Sequence, residues 1–355
     1  MENNNYECQM KEKLQKLRTQ KVVRILAFES SCDETSVAVV ENGRKVLSNV
    51  VASQIDIHTR FGGVVPEIAS RNHILAINPC LEQALKEANC TLDDIDAVAV
   101  TQGAGLVGAL LVGVTSAKAL AYAIKKPLIA VNHIKGHISA NFVAHKDLKP
   151  PFVCLITSGG HTAIVKVVDF NKFEMLGTTQ DDAIGEAFDK VARIIGLGYP
   201  GGPKIDKMAK QGHANITFVK QDAFEHTFDV SYSGLKTAVI NYVHSKQQKG
   251  EEINVPDICA SFQKQAVEML TQKVVRACKE QDLKTIVLAG GVAANSCLRE
   301  TLETLCKEND LELKYPPISL CGDNAAMIGS LAYFNLQTDD PADLSMSAKP
   351  NIPLN

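Results

Sequence analysis

The two halves of the chain repeat one order of strands and helices, and this duplication constrains the fold more than any other feature. Residues 22–51, "VVRILAFESSCDETSVAVVENGRKVLSNVV", predict a strand, a polar turn and two further strands. Asn42 and Gly43 are the residues expected in the hairpin turn between the last two strands. Residues 150–179, "PPFVCLITSGGHTAIVKVVDFNKFEMLGTT", repeat the same plan.

The second parts of the two halves also match. Residues 94–131 and residues 283–317 each read as a strand, a glycine-rich loop, a helix and another strand. Parallel strands joined by helices predict an α/β sheet that binds ligands at the carboxyl ends of its strands. We therefore predict two related lobes that face a central cleft, with lobe I at 24–145 and lobe II at 146–335. Residues 1–23 are a predicted N-terminal extension, and residues 336–355 a tail that could return to lobe I.

The composition is that of a globular protein in a reducing compartment. The 355 residues suffice for two domains, and 45% hydrophobic with 22% charged residues is an ordinary balance. The ten cysteines form no C-x-x-C pair, which is typical of thiols in a reducing compartment. Residues 1–20 are too polar for a signal peptide, and no apolar run predicts a membrane helix. A cytoplasmic location is therefore expected. With a net charge of −3, nucleic-acid binding would need a local basic patch or a second protein. For the basic N-terminal extension, a solvated, partly helical tail is favoured over a docking arm.

The stretch "VNHIKGHISAN", residues 131–141, contains two histidines four positions apart. On a helix, His133 and His137 would project from one face and could bind one metal ion. Ile134 occupies the position at which zinc peptidases carry their catalytic glutamate, so peptide hydrolysis is not indicated. A pair of hydrogen-bonded histidines without a metal is the alternative interpretation.

Asp323, in "SLCGDNAAMIG", occupies the place in the second repeat that the two histidines occupy in the first. If a pseudo-two-fold axis relates the lobes, this carboxylate approaches the imidazoles. Two histidines and one aspartate form a ligand set suited to Fe(II) or Zn(II). The alternative for Asp323 is a helix N-cap.

Three glycine-rich loops suggest a nucleotide site. They are "TSGGH" (157–161), "YPGGPKID" (199–206) and "AGGVAAN" (289–295). Glycine lets the backbone approach a phosphate closely. No P-loop is present, and the G-x-G-x-x-G of "TQGAGLVGALL" lacks an acidic ribose partner about 20 residues later. We interpret Gly103, Gly105 and Gly108 as sites of tight helix–strand packing.

Nine segments from Arg24 to Phe334 closely resemble the TsaD family of tRNA adenosine threonylcarbamoyltransferases, formerly described as O-sialoglycoprotein endopeptidases. They are "ESSCDETSVAVV", "FGGVVPEIASRNH", "QGAGLVGALLVG", "NHIKGHISA", "TSGGHTAIV", "DDAIGEAFDKVARIIGLGYPGGP", "SYSGLKTAV", "AGGVAAN" and "CGDNAAMIG". The resemblance implies the duplicated, two-lobed actin/hexokinase/Hsp70-like (ASKHA) fold. It also implies transfer of a threonylcarbamoyl group from threonylcarbamoyl-adenylate to adenine 37 of tRNAs that read codons beginning with A.

The resemblance also implies site residues and partners. His133, His137 and Asp323 would hold one divalent metal, with Fe(II) favoured and Zn(II) as the alternative. The expected substrate-binding residues are Ile156, Thr157, Ser158, Gly159, Gly160, Asp189, Gly202, Asp206 and Asn295. Glu29 and Glu34 are candidate proton acceptors. Expected partners are tRNA, an inactive paralogue and a small P-loop ATPase. A small-molecule kinase of the same superfamily and a non-catalytic scaffold are the alternatives.

Overall fold

The computed structural model describes residues 2–219 and 224–354, which fall into two compact units. Unit 1 contains the chain up to Lys149 together with Asp323–Leu354, and unit 2 contains Pro150–Gly322. Residues 323–335 were expected in lobe II, but the structure places them in the unit that corresponds to lobe I. They lie in unit 1 because the helix that they form packs on the sheet of that unit.

Unit 1 is built on a mixed sheet with the strand order β3-β2-β1-β4-β5. Its strands are β1 (Arg24–Glu29), β2 (Glu34–Glu41), β3 (Lys45–Ser53), β4 (Ala97–Gly103) and β5 (Leu128–Asn132). Its helices are α1 (Glu2–Leu17), α2 (Ile55–Thr59), α3 (Pro66–Glu87), α4 (Val107–Ala123), α5 (His133–Ala144) and α11 (Ala325–Leu336). The β1–β2 and β2–β3 pairs are antiparallel, whereas β1–β4 and β4–β5 are parallel.

The central strand β1 is apolar from Ile25 to Phe28 because helices cover both faces of the sheet. Leu26 and Phe28 pack in one cluster with Ile77 of α3 and Val114 of α4. Ala27 points to the opposite face, where α11 approaches closely. A parallel sheet covered on both faces produces such continuous apolar strands.

The β2–β3 hairpin turns where the sequence predicts. Asn42 and Gly43 have φ angles of 53° and 67°, the left-handed conformation that a tight hairpin of this kind requires. The hairpin prediction is therefore confirmed.

Unit 2 repeats this architecture with the strand order β10-β9-β6-β7-β8. Its strands are β6 (Phe152–Thr157), β7 (Thr162–Asp169), β8 (Lys172–Thr178), β9 (Thr285–Ala289) and β10 (Glu312–Lys314). Its helices are α6 (Ile184–Ile194), α7 (Gly201–Ala209), α8 (Ser233–Gln248), α9 (Val255–Glu280) and α10 (Ser296–Glu308). Strands β6, β7, β8, β9 and β10 pair in the same directions as β1 to β5. The predicted duplication of an α/β sheet is confirmed.

The N-terminal extension was expected to be a solvated tail, but it forms a helix that packs on the rest of unit 1. Within it, Met1 and the side chains of residues 2–5 lie outside the described part. Helix α1 buries Met10, Leu14 and Leu17 against unit 1. The helix packs there because its apolar residues recur at helical spacing and share one face, while its charged residues lie on the other faces.

Helices α4 and α11 are strongly apolar because they pack against other elements of unit 1. Helix α4 has 17 residues and α11 has 12, and α11 is buried for most of its length. Within residues 2–219 and 224–354, no helix combines the length and the apolar character needed to cross a bilayer.

Candidate functional site

The two histidines lie at the start of α5, directly after β5. The side-chain oxygen of Asn132 accepts hydrogen bonds from the backbone N–H groups of Ile134 (2.9 Å) and Lys135 (3.2 Å), which caps the helix. His133 and His137 therefore lie one turn apart on one face, with ring centroids 4.7 Å apart and planes at 77°. Both side chains are buried. The predicted helical arrangement of the pair is present.

Asp323 reaches the histidines through the docking of α11. The first N–H groups of α11 donate to Ser36 (2.9 Å) and Asn49 (3.1 Å), while Asn324 caps the helix by accepting from Met327 N–H. Because Asn324 is the cap, the N-cap alternative for Asp323 does not apply. Its Oδ1 lies 3.3 Å from His137 Nε2 and 3.4 Å from His133 Nε2.

Glu29 lies behind His133, at the end of β1. Its Oε2 is 3.0 Å from His133 Nδ1 and also accepts from the hydroxyl of Thr101, while its Oε1 accepts from Ser31 N–H. Ser31 Oγ is 3.1 Å from the same ring nitrogen. A carboxylate that accepts from Nδ1–H directs the Nε2 lone pair of the histidine to the opposite side, toward Asp323. We infer that Glu29 orients His133, because both of its oxygens are occupied.

The cluster carries opposing charges. Burial alone would raise the pKa of the Asp323 carboxyl, but His133 and His137 hold it well below its usual range. Burial likewise opposes the ionised form of His133, yet Asp323 and Glu29 raise its pKa well above the usual value. The pKa of Glu29 is lowered, because the attraction of His133 overcomes complete burial. These groups stabilise one another in their charged forms.

The donor set fits a divalent metal ion. One ligand atom from each of His133, His137 and Asp323 lies within 4.8 Å of the others. Both ring nitrogens of His137 are buried without a hydrogen-bond partner, although buried polar atoms are normally paired. A metal ion would give this histidine a partner, whereas the alternative of a hydrogen-bonded pair of histidines does not apply, because neither ring nitrogen of His137 makes a hydrogen bond. Two imidazoles and a carboxylate suit Fe(II) or Zn(II).

Glu34, the second candidate proton acceptor, begins β2. Burial, followed by the charges of Asp323 and Asp33, raises its pKa to about 9. Its Oε1 accepts a hydrogen bond from the hydroxyl of Ser53 at 3.0 Å. A raised pKa favours the protonated form of this carboxyl, and the role of Glu34 as a proton acceptor stays a prediction.

Unit 2 contains a cavity of about 530 Å³ between α6, α7 and the segment 291–295 that precedes α10. Its walls include the apolar side chains of Phe188, Val292 and Ile318. It is also lined by five of the nine residues expected to bind substrate: Gly159, Asp189, Gly202, Asp206 and Asn295. A pocket with mainly apolar walls and a few convergent polar groups is typical of a small-molecule site.

The other four expected residues lie beside this cavity. Ile156 and Thr157 are the last residues of β6 and are fully buried, so their side chains belong to the core. Ser158 and Gly160 belong to the turn that connects β6 to β7, and Ser158 N–H donates to the carbonyl of His161 at 2.9 Å. None of the four is among the lining residues of the cavity.

Asp189, Asp206 and Asn295, which line the cavity, have partners within unit 2. Asp189 accepts from Gly201 N–H at 2.6 Å, and its pKa is raised by burial. Asp206 accepts from the hydroxyl of Ser296 at 2.8 Å. Asn295 caps α10 through Leu298 N–H (2.9 Å) and donates to Gln263 (2.8 Å). These bonds fix the orientation of the side chains that a ligand would meet.

The sequence did not indicate several residues at the two sites. Thr101 and Ser31 at the histidine cluster bear no recognisable pattern, since ordinary polar residues at strand ends are common. Lys207 and Lys210 line the cavity of unit 2. The only signal in the sequence is that they lie three residues apart on a predicted helix, directly after Asp206. Ile318 is 69% exposed at the cavity, where an isolated apolar residue in a loop gives no sequence signal.

Comparison with known proteins yields one family over most of the chain. The model of the TsaD family, described as tRNA N6-adenosine threonylcarbamoyltransferase, matches residues 45–330. A protein of that name from Clostridium perfringens is 60% identical over 331 residues, which are 93% of this chain and 98% of the relative. A protein of the same name from Clostridium botulinum is 60% identical over 333 residues, 94% of this chain and 98% of the relative.

Two solved structures share the fold. Full-length HypF in its phosphate- and nucleotide-bound form has a TM-score of 0.59 at 16% identity, covering 88% of this chain and 46% of HypF. Component A of (R)-2-hydroxyglutaryl-CoA dehydratase from Acidaminococcus fermentans has a TM-score of 0.51 at 14% identity, covering 88% of this chain and 99% of that protein. At such low identity the likeness establishes the ASKHA fold alone.

Proposed function

We propose, from the premise that this chain belongs to the TsaD family, that it transfers a threonylcarbamoyl group to the exocyclic amine of adenine 37 in tRNAs reading codons that begin with A. The observation that carries the proposal is the buried cluster of His133, His137 and Asp323, in which neither ring nitrogen of His137 makes a hydrogen bond and its Nε2 lies 3.3 Å from the Asp323 carboxylate. A kinase acting through ATP and Mg²⁺ alone has no use for a cluster of two histidines. No feature of the residues that the structure describes favours that alternative.

We propose His133, His137 and Asp323 as the ligands of one divalent metal, with Fe(II) favoured over Zn(II). Bound there, the metal would act as a Lewis acid and polarise a carbonyl or phosphoryl oxygen. Glu29 keeps His133 in the orientation that this role needs, because it accepts from Nδ1 and leaves Nε2 available.

For the donor, threonylcarbamoyl-adenylate, we propose the cavity of unit 2. The turn at residues 158–160 would supply the backbone N–H groups of Gly159 and Gly160 to the phosphate, and Ile156, Thr157 and Ser158 would hold that turn on the end of β6. Asp189 and Asp206 would accept hydrogen bonds from ribose hydroxyls, and Gly202 leaves room for the ligand because no atom lies within 4 Å of a Cβ there. Asn295 would contribute mainly through the loop that it holds.

The proposed reaction is an acyl transfer from a mixed anhydride. The adenine amine attacks the carbamoyl carbon, the bond from that carbon to the phosphate oxygen breaks, and AMP leaves with the electron pair. The amine loses one proton, for which we propose Glu29 and Glu34 as the candidate acceptors. Orientation of two bound reactants is the main contribution that the protein must make to such a reaction.

The proposed partners are those implied by the family. With a net charge of −3, the chain would gain tRNA affinity from a partner, so we propose an inactive paralogue and a small P-loop ATPase as co-workers. Because the substrate is tRNA, we propose that the reaction takes place in the cytoplasm.

The direct test is a transfer assay with unmodified tRNA, synthetic threonylcarbamoyl-adenylate and the purified chain with its partners. Mass analysis of nucleosides should detect threonylcarbamoyladenosine, and the matched variant Asp323→Ala should yield none. Full product formation by metal-free wild-type protein would contradict the proposal. An assay for ATP consumption without tRNA examines the kinase alternative in the same preparation.

A further inference from the structure

The C-terminal segment of the chain runs along unit 1 to the start of the helix that carries the two histidines. After α11, Ala342 N–H donates to the carbonyl of Leu128 at the beginning of β5 (2.8 Å). Further along, Lys349 N–H donates to the carbonyl of Gln102 in β4 (2.8 Å). Pro353 then accepts from the side-chain amide of Asn132, the last residue of β5 (3.2 Å). The segment thus follows β5 from its first residue to its last.

The glycines of the G-x-G-x-x-G sequence make room for this segment. A Cβ on Gly103 would lie 1.8 Å from the carbonyl oxygen of Lys349, so any larger residue would displace the segment. Gly105 N–H donates to the carbonyl of Pro350 at 3.0 Å. The sequence predicted tight helix–strand packing at these glycines. The close packing is present, but at Gly103 and Gly105 the neighbours are the C-terminal segment and Ser31 rather than a helix.

Asn132 joins the C-terminal segment to the first turn of α5. Its amide nitrogen donates to Pro353, while its oxygen accepts from Ile134 and Lys135. One side chain therefore holds both Pro353 and the N–H groups adjacent to His133. Loss of the contact to Pro353 would free the amide to rotate away from the helix.

A second route leads through Ser31. Gly105, bonded to Pro350, packs directly on Ser31, and Leu106 N–H donates to the Ser31 carbonyl at 2.8 Å. Ser31 Oγ in turn lies 3.1 Å from His133 Nδ1. The two routes meet at the same imidazole.

We propose that the segment Lys349–Pro353 is a positioning element of the His133, His137 and Asp323 centre, acting through Asn132 and Ser31. The proposal rests on the metal centre of the proposed function and not on the transfer reaction. The segment's hydrogen bonds are to Gln102, Gly105 and Asn132. It acts by restricting the first turn of α5 and the ring of His133, as the outer hydrogen-bond partners of a metal site do.

The test compares the full chain with a chain that ends at Ala348, both prepared without metal. We expect the shorter chain to bind Co(II) about tenfold more weakly, the size typical of losing an outer-shell contact, and to show a changed ligand-field absorption band. Hydrogen exchange at the amides of Ile134 and Lys135, measured without metal, should become faster. Thermal unfolding establishes that both chains are folded.

Gly103→Ala tests the same proposal independently, because it displaces the C-terminal segment without removing it. In the full chain it should weaken Co(II) binding like the truncation, whereas in the chain ending at Ala348 it should add nothing, because the carbonyl that it displaces is gone. The matched control is Gly234→Ala in unit 2, where no atom lies within 4 Å of a Cβ. If the shorter chain does not fold, Asn132→Ser, which keeps a helix cap but cannot reach Pro353, gives the same comparison.

Unchanged Co(II) affinity and unchanged exchange in the shorter chain would overturn the proposal, as would a Gly103→Ala effect that is fully additive with truncation. Failure of the proposed function would appear differently, as a wild-type chain that makes no threonylcarbamoyladenosine. The exchange comparison is made without metal or substrate and stands in either case.

Discussion

The histidine cluster of unit 1 and the cavity of unit 2 are built in different ways. In the cluster, buried ionisable side chains face one another, and both nitrogens of His137 have no hydrogen-bond partner. In the cavity, glycine backbone and apolar walls define the space, and Asp206 and Asn295 are bonded to neighbours. In the cluster, His137 lacks the hydrogen bonds that buried nitrogens normally make. In the cavity, the side chains of Asp206 and Asn295 are already held by neighbouring residues.

This difference indicates how each site should respond to substitution. A centre made of side-chain donors loses its chemistry when one donor is removed, because no neighbouring group can replace a ligand atom. A cavity made of backbone and apolar walls loses affinity when its space is filled, and its polar residues matter for stability as well as binding. The following substitutions test this contrast, from the largest expected effect to the smallest.

Asp323→Ala should have the largest effect. It removes the carboxylate shared by His133 and His137, and a metal's contribution of several kcal/mol to a transition state corresponds to roughly a thousandfold or more in rate. Metal content by elemental analysis should fall, while adenylate binding by calorimetry should stay normal. Normal metal content in this variant would remove the distinction between the two sites.

Gly202→Val should weaken adenylate binding by roughly ten- to a hundredfold, because the side chain enters the cavity without meeting protein atoms. Metal content should not change. The neighbouring Gly201→Val is the matched comparison: there a Cβ would lie 2.6 Å from Asp189 Cα, so thermal stability should fall instead. Equal adenylate affinity in Gly202→Val and wild type would mean that the nucleotide binds elsewhere.

Asn295→Ala should cost about 1 kcal/mol of unfolding free energy, the usual value for a lost helix cap, because α10 loses the acceptor for Leu298 N–H. Adenylate affinity should fall less than in Gly202→Val. Asn295→Asp, which keeps the capping oxygen, should retain most of the stability in denaturant unfolding. A large loss of affinity with unchanged stability would show that the amide contacts the ligand directly.

The smallest effect concerns Asp189 and pH. Burial raises its folded pKa above the ordinary 3.8, so the folded state binds the proton more tightly and the ionised carboxylate costs stability. Asp189→Asn, which can still accept from Gly201, should therefore gain stability relative to wild type as pH rises through the folded pKa, by less than about 1 kcal/mol. Below pH 3.8 the gain should vanish. Urea unfolding at several pH values measures it, and a gain independent of pH would contradict the raised pKa.

The repeat and the motifs were readable from the sequence because both depend on local patterns. Strand and helix order follows from hydrophobic periodicity, and the His133–His137 pair follows from helical spacing. The Asn42–Gly43 turn follows from two residues that tolerate left-handed backbone. In contrast, the sequence favoured a solvated tail for residues 1–23, because only packing shows that Met10, Leu14 and Leu17 are buried.

The sequence by itself determined the duplicated α/β architecture, the family and the residue types of the candidate site. The repeat also predicted that Asp323 approaches the histidines. Tertiary structure alone decided that α11 docks on unit 1, that Asn324 caps that helix, and that Pro353 of the C-terminal segment bonds to Asn132. The physical reason is that these outcomes depend on contacts between residues far apart in the chain. Hydrophobic periodicity describes which face of an element is buried, but not which distant element covers it.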